Sequence, residues 1–298
     1  MIKTFLDLLQ FLFTNAQLLT STLILTLLSI YLAKSIKKNP KTYYFILAIP
    51  FFLVAIPFTL NLLGAEVLTF TRVPVLGHIL RDYIHWGTFG HPLFIIVMYM
   101  GALNPKISFV KRLMSIRKEL SIIAGFPVLT HTLVRIFNNF PNAWLFFVDN
   151  DEFMANNLVV SELGTAFTNF SFVFGVLIFV LFLPLWITSF DAVRKRMSAI
   201  RWKKLQKWAY VFYATLFIHA MAIAVGGILN SPPERPRQAV EVSVSAGTGR
   251  ALPASITDYH VSRQTRRYIQ VVTLLLIYGS YVVLRVRKAR RSKRKKLK

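Results

Sequence analysis

The 298-residue sequence has no cysteine. Disulfides, thiolate-held metals, iron–sulfur clusters and cysteine nucleophiles are therefore excluded. Acidic residues are scarce as well: 12 Asp and Glu stand against 36 Lys and Arg, for a formal net charge of +24. No GxGxxG or GxxxxGK[ST] pattern stands in a strand–turn–helix context, so the chain is not expected to carry a nicotinamide or flavin domain of its own. No internal repeat, broken-helix pair or mid-span acidic residue is evident, which gives an inverted-repeat transporter no support. A cleavable leader is not expected either. The start MIKTFLDLLQFLF has one lysine, an interrupting Asp7 and no small-residue cleavage pattern.

What the sequence does have is apolar length. It is 55% hydrophobic, with a mean hydropathy of +0.52. A helix of about 20 apolar residues crosses a bilayer core of roughly 30 Å. Seven runs approach that length: 17–33, 43–63, 87–103, 119–137, 166–188, 208–229 and 268–284. The expected fold is an all-α integral membrane protein, a bundle of about seven transmembrane helices. The basic residues fall in four clusters, at 34–41, 104–118, 190–207 and 285–298, holding four, five, seven and ten Lys and Arg. These alternate with loops that carry most of the acidic residues. The positive-inside rule then sets the clusters in the cytoplasm, with the N-terminus outside and the C-terminus inside. The charge reads as a topological anchor meeting anionic lipid headgroups of a cell inner (plasma) membrane, and not as a nucleic-acid surface.

Four segments are expected along the chain: an N-terminal hairpin over 1–63, a core transmembrane domain over 64–229, a Pro-rich polar outer loop over 230–265, and a last span with its basic tail over 266–298. Within the core, outer loop 64–86 holds His78 and His85. Outer loop 138–163 is rich in Asn and aromatics and can fold over the outer face.

Ionisable side chains inside a span are costly and mark candidate sites. His131 lies fourteen residues past Arg117, and His219 fifteen past Lys204. At helical rise these put the two imidazoles about 21 Å and about 22 Å from the basic side. Two histidines at matched depth on separate helices meet the requirement for bis-histidine ligation of a b-type haem. A contact between helices is the plainer alternative. Zinc finds no third or fourth ligand nearby. Arg135, one helical turn beyond His131, is placed to pair with a haem propionate or to snorkel to the interface. His85 and His91 flank the start of the third span. They can border a haem, meet a quinone headgroup or sit in the interface, and the interface is the expectation for both. His78 and His260 are expected in solvent.

The stretch RKELSIIAGFPVLTH (117–131) resembles the histidine-bearing helix of ferric-reductase-like transmembrane domains. FVLFLPLWITSFDAVRKRMSAIRWKKLQKWAYVFYATLFIHA (179–220) is similar to the MsrQ (YedZ) branch of that family, the haem-binding membrane subunits, and HPLFIIVMYMGALNP (91–105) fits the helix before. The resemblance covers about residues 85–229. It implies that His131 and His219 are haem ligands. It also implies that Gln206 stands where the family carries a histidine for a second, inner haem, so one haem b is expected. Quinone or FMN is the further cofactor to expect. The implied role is a b-type cytochrome membrane subunit, an electron-transfer component and not a self-contained enzyme. It would take electrons from a quinol or a cytoplasmic flavin reductase and pass them to an extracytoplasmic reductase. A non-redox transporter or assembly factor, with His131 and His219 as interhelical contacts, is the competing reading.

Overall fold

The computed structural model describes residues 16–68, 73, 77, 80, 88–231 and 263–296. His78, His85 and His260 lie outside them, as does most of the loop 230–265. Among the described residues regular structure is helical throughout. In lipid, backbone groups find no water, and a helix satisfies them internally.

α1 (Gln17–Lys38) ends on Lys37 and Lys38, and Asn39 alone separates it from α2 (Pro40–Leu62), which starts on a proline at its first turn. α3 (Gly90–Ala102), α4 (Ser108–Met114) and α5 (Arg117–Asn138) follow. Two short helices, α6 (Phe140–Val148) and α7 (Asn150–Asn156), fill the aromatic loop expected over the outer face. α8 (Glu162–Ile187) returns through the bundle, and α9 (Asp191–Arg194) and α10 (Ala199–Gln206) make the basic turn. α11 (Ala209–Leu229) and α12 (Arg263–Lys296) complete the set. Asp149 and Ser161 cap α7 and α8, accepting from the backbone of Glu152 at 3.0 Å and Gly164 at 3.1 Å.

Among the described residues six segments are long and apolar enough to cross a membrane: 17–38, 40–62, 117–138, 162–187, 199–229 and 264–291. The chain is a multi-pass membrane protein. The third run of the sequence, 87–103, is realised as the 13-residue α3. At helical rise that is about 20 Å, less than a bilayer core. Its residues from Pro92 to Met98 are all buried, so it is packed within the bundle and not presented to lipid.

α8 and α11 share the most extensive contact, α5 packs on α2, α3 and α8, and α12 lies against α11 and α3. The N-terminal hairpin does not stand apart. α1 leans on α3 and α4, whereas α2 packs on α5. Small residues set the α8–α11 crossing. A Cβ on Gly226 would lie 2.5 Å from Thr168 Oγ1, and one on Gly164 would lie 2.8 Å from Leu229 Cβ. Small faces of this kind let membrane helices approach closely without a hydrophobic driving force.

Trp186 of α8 closes against α5. Its indole N–H donates to the Ile122 carbonyl at 3.0 Å, and a Cβ on Gly125 would overlap the indole ring at its nitrogen. At the opposite edge α12 caps α3: Arg285 and Lys288 each donate to the Gly101 carbonyl at 2.8 Å, and Lys288 also to the Leu103 carbonyl at 3.0 Å. Cations at a helix C-terminus satisfy its unpaired carbonyls and oppose its dipole. That end of the bundle, where α5 begins and α11 begins, is the basic end. The other, where α5 and α11 finish and α12 begins, is the distal end.

Candidate functional site

A cavity of about 760 Å³ opens in the distal half of the bundle. Its size is within the range of ordinary cofactor pockets, about 300–1,000 Å³. α5 lends it Val128, His131, Thr132 and Arg135, and α11 lends Phe212, Leu216, His219 and Ile223. The matched depths of His131 and His219 thus become a shared wall, and the two half-buried imidazoles border one space.

His219 is held by α8. Its Nδ1 lies 2.9 Å from both the carbonyl and the hydroxyl of Ser171 and donates to the carbonyl, while the hydroxyl donates to the His219 carbonyl at 3.3 Å. With the proton on Nδ1, the lone pair is on Nε2, the tautomer in which a histidine ligates a metal with its orientation fixed from behind. Gly175, one turn along α8, leaves room for the ring: a Cβ there would lie 3.3 Å from His219 Cε1. Arg135 borders the same cavity and donates to Asn139 Oδ1 at 2.9 Å.

Three features escaped the sequence reading. The expected interfacial position of His91 is not what the structure shows. His91 lines the cavity, and its Nε2 is 2.9 Å from the Tyr278 hydroxyl of α12, 187 positions away. Long-range partners of that kind leave no local signal. The second feature is α12 itself, which adds Arg266, Arg267 and Gln270 to the cavity. In sequence these two arginines read as the flank of a span. The third is the small-residue face of α8, with Gly164, Thr168, Ser171 and Gly175 at helical spacing, which the pattern alone could have disclosed.

The floor toward the basic end is aromatic. Phe94, Phe182 and Phe212 line it, with ring centroids 5.0 Å (Phe94–Phe212), 5.9 Å (Phe94–Phe182) and 6.0 Å (Phe182–Phe212) apart. Trp186 stacks beneath Phe182 at 5.9 Å. Gln206 lies past this layer, its amide 3.4 Å from Thr188 Oγ1. Among the described residues no group of three or more His, Cys, Asp or Glu side chains is placed to hold a metal ion. The cavity is bordered by three imidazoles on separate helices, His91 of α3, His131 of α5 and His219 of α11, and by the guanidiniums of Arg135, Arg266 and Arg267.

Residues 86–217 match the family model for the ferric reductase like transmembrane component. The match takes in α3, α5, His91, His131 and Arg135. It stops two residues before His219, and it excludes α1, α2 and α12. A protein of Treponema pallidum (strain Nichols), described as uncharacterized, is 26% identical over 203 residues, 68% of this chain. The chain spans 43% of that relative's length. No solved structure matches the chain.

Proposed function

We propose that the chain is a membrane electron-transfer component that holds one b-type haem between His131 and His219. The observation that carries this is the convergence of both histidines on one cavity, with Nδ1 of His219 engaged by Ser171 and its Nε2 left to ligate. The family match over α3 to α11 supports the same class. A haem bound there supplies a reversible Fe(III)/Fe(II) couple, and two imidazole ligands leave no open position for dioxygen.

The chain's own residues do the rest. Ser171 fixes the ring of His219, and Arg135 offers a donor fork to a propionate. Apolar side chains such as Phe94, Phe212 and Leu216 keep water from the centre of the cavity. We pair His219 with His131 because the two stand at matched depth on α5 and α11; His91, which also lines the cavity, meets the Tyr278 hydroxyl through Nε2. The aromatic floor of Phe94, Phe182, Phe212 and Trp186 fills the region between the cavity and Gln206, which supports a single haem. In the inner membrane the basic end faces the cytoplasm by the positive-inside rule, and the cavity lies toward the outer face. A quinol within the bilayer is the favoured donor; a flavin reductase docking on the basic turn of α9 and α10 is the other. An extracytoplasmic reductase, the partner suggested by the likeness to the MsrQ (YedZ) branch, accepts the electron.

The test is the reduced-minus-oxidised spectrum of purified protein from haem-replete cells. A Soret band that shifts and sharpens on dithionite, lost in His131→Ala and in His219→Ala and kept in His91→Ala, is expected. A colourless wild type refutes the reading, and loss of the band in His91→Ala with retention in His131→Ala reassigns the ligand.

A further inference from the structure

The last span brings two arginines to the cavity that the ligand pair does not account for. Arg266 and Arg267 stand in the first two turns of α12 and border the cavity, as does Arg135 from α5. Three guanidiniums therefore border one largely apolar cavity, where an arginine fork suits a ligand carboxylate. The local packing is arranged for Arg267. α11 is bare at Gly227, where a Cβ would lie 2.8 Å from Arg267 Nε and 3.2 Å from its Cδ. Lying across that bare turn, Arg267 donates from Nη1 to Gln270 Oε1 at 3.1 Å, and Gln270 lines the cavity too. A neutral amide fixes the fork without neutralising it. α12 lies wholly outside the segment matched to the family, so this is a feature of the chain and not of the matched region.

We propose that Arg266 and Arg267, with Arg135, form a carboxylate-binding rim that takes the haem propionates, and that Gly227 is the positioning residue that lets Arg267 reach it. The inference rests on the haem reading above. The charge-assisted fork of an arginine on a carboxylate is the strongest polar contact available to a group of this kind. Positive charge beside the iron also disfavours the ferric state, so the rim raises the midpoint potential.

Full-length protein, reconstituted in parallel with haem and with haem dimethyl ester, tests the rim through haem transfer to apomyoglobin and through redox titration. The ester keeps the macrocycle and iron but lacks ionised carboxylates. Wild type is expected to release the ester about tenfold or more faster than the free acid, the loss that follows from breaking charged hydrogen bonds. Arg266→Gln/Arg267→Gln is expected to keep the Soret band of two imidazole ligands, to have a lower midpoint potential, and to release the free acid faster, narrowing its gap to the ester to what Arg135 alone sustains. Arg267→Lys, which keeps charge but loses the fork, should hold the potential and still release haem faster. Gly227→Ala should displace Arg267 and shift release the same way as Arg267→Gln. Equal release of acid and ester by the wild type, or a double variant with unchanged release and potential, overturns the rim and leaves the arginines as interfacial cations. The wild-type comparison needs no substitution, so a variant that fails to fold does not shelter the proposal. A wild type that binds neither form overturns the haem reading and the rim with it. One that binds both alike overturns the rim alone.

Discussion

His219 owes its place to two residues of α8, and each can be tested alone. Ser171 meets the ring Nδ1 with both its carbonyl and its hydroxyl, each at 2.9 Å, and its hydroxyl also reaches the α11 backbone at the His219 carbonyl. Ser171→Ala keeps the carbonyl and removes the hydroxyl, so haem retention should fall by about tenfold, the lower end of the effect of losing an outer-shell partner. Gly175→Val is harsher, because a Cβ at 3.3 Å from His219 Cε1 is already tight and the branched methyls go further. The expected result is loss of the Soret band with little change in the melting temperature, read by absorbance and by size-exclusion of heated samples. That His131 and His219 border one space could be read from the sequence, since depth follows from counting residues along a helix of known rise. His91 could not, because its partner Tyr278 is on a helix that enters the bundle 187 positions later. Arg266 and Arg267 were hidden for the same reason: their value comes from Gly227 and Arg135, which only the fold brings near.

At the scale of helices, α5 and α8 are locked by one indole. The Trp186 ring occupies the space that any side chain at Gly125 would need, and its N–H meets the Ile122 carbonyl. Gly125→Ala should destabilise the bundle by about 1–3 kcal/mol, the usual cost of overpacking a filled core. Trp186→Leu should cost stability alone yet relieve Gly125→Ala when combined, a non-additive pair measurable by thermal melts of the four proteins in detergent. Additive losses would mean that the two residues do not share one space. The long apolar runs became helices as expected, because a run of Leu, Ile and Phe at membrane length has few other solutions. The third run did not reach full length. α3 is encased by protein, and hydropathy measures apolarity without telling a helix bathed in lipid from one buried in a bundle. The small-residue face of α8 follows a legible spacing, although which helix it meets is a property of the assembled bundle.

For the whole molecule the alternation of charge gives an orientation that the absence of cysteine makes easy to check. Leu158, 98% exposed at the distal end, and Ile200, 81% exposed at the basic end, can each be replaced by the chain's only cysteine. A membrane-impermeant maleimide should label Leu158→Cys in intact cells and Ile200→Cys only after permeabilisation. The reverse pattern would invert the topology. On the proposed reading, electron flow depends on how many haems lie between the two faces. The likeness to the MsrQ (YedZ) branch implies that Gln206 replaces a second ligand, and the fold adds an aromatic layer between Gln206 and the cavity. Haem content per chain therefore tests the central claim most directly. A pyridine haemochrome assay against protein mass should return one haem per chain in the wild type and in His91→Ala, and none in His131→Ala or His219→Ala. Two haems per chain in the wild type, or one retained in either ligand variant, would contradict it.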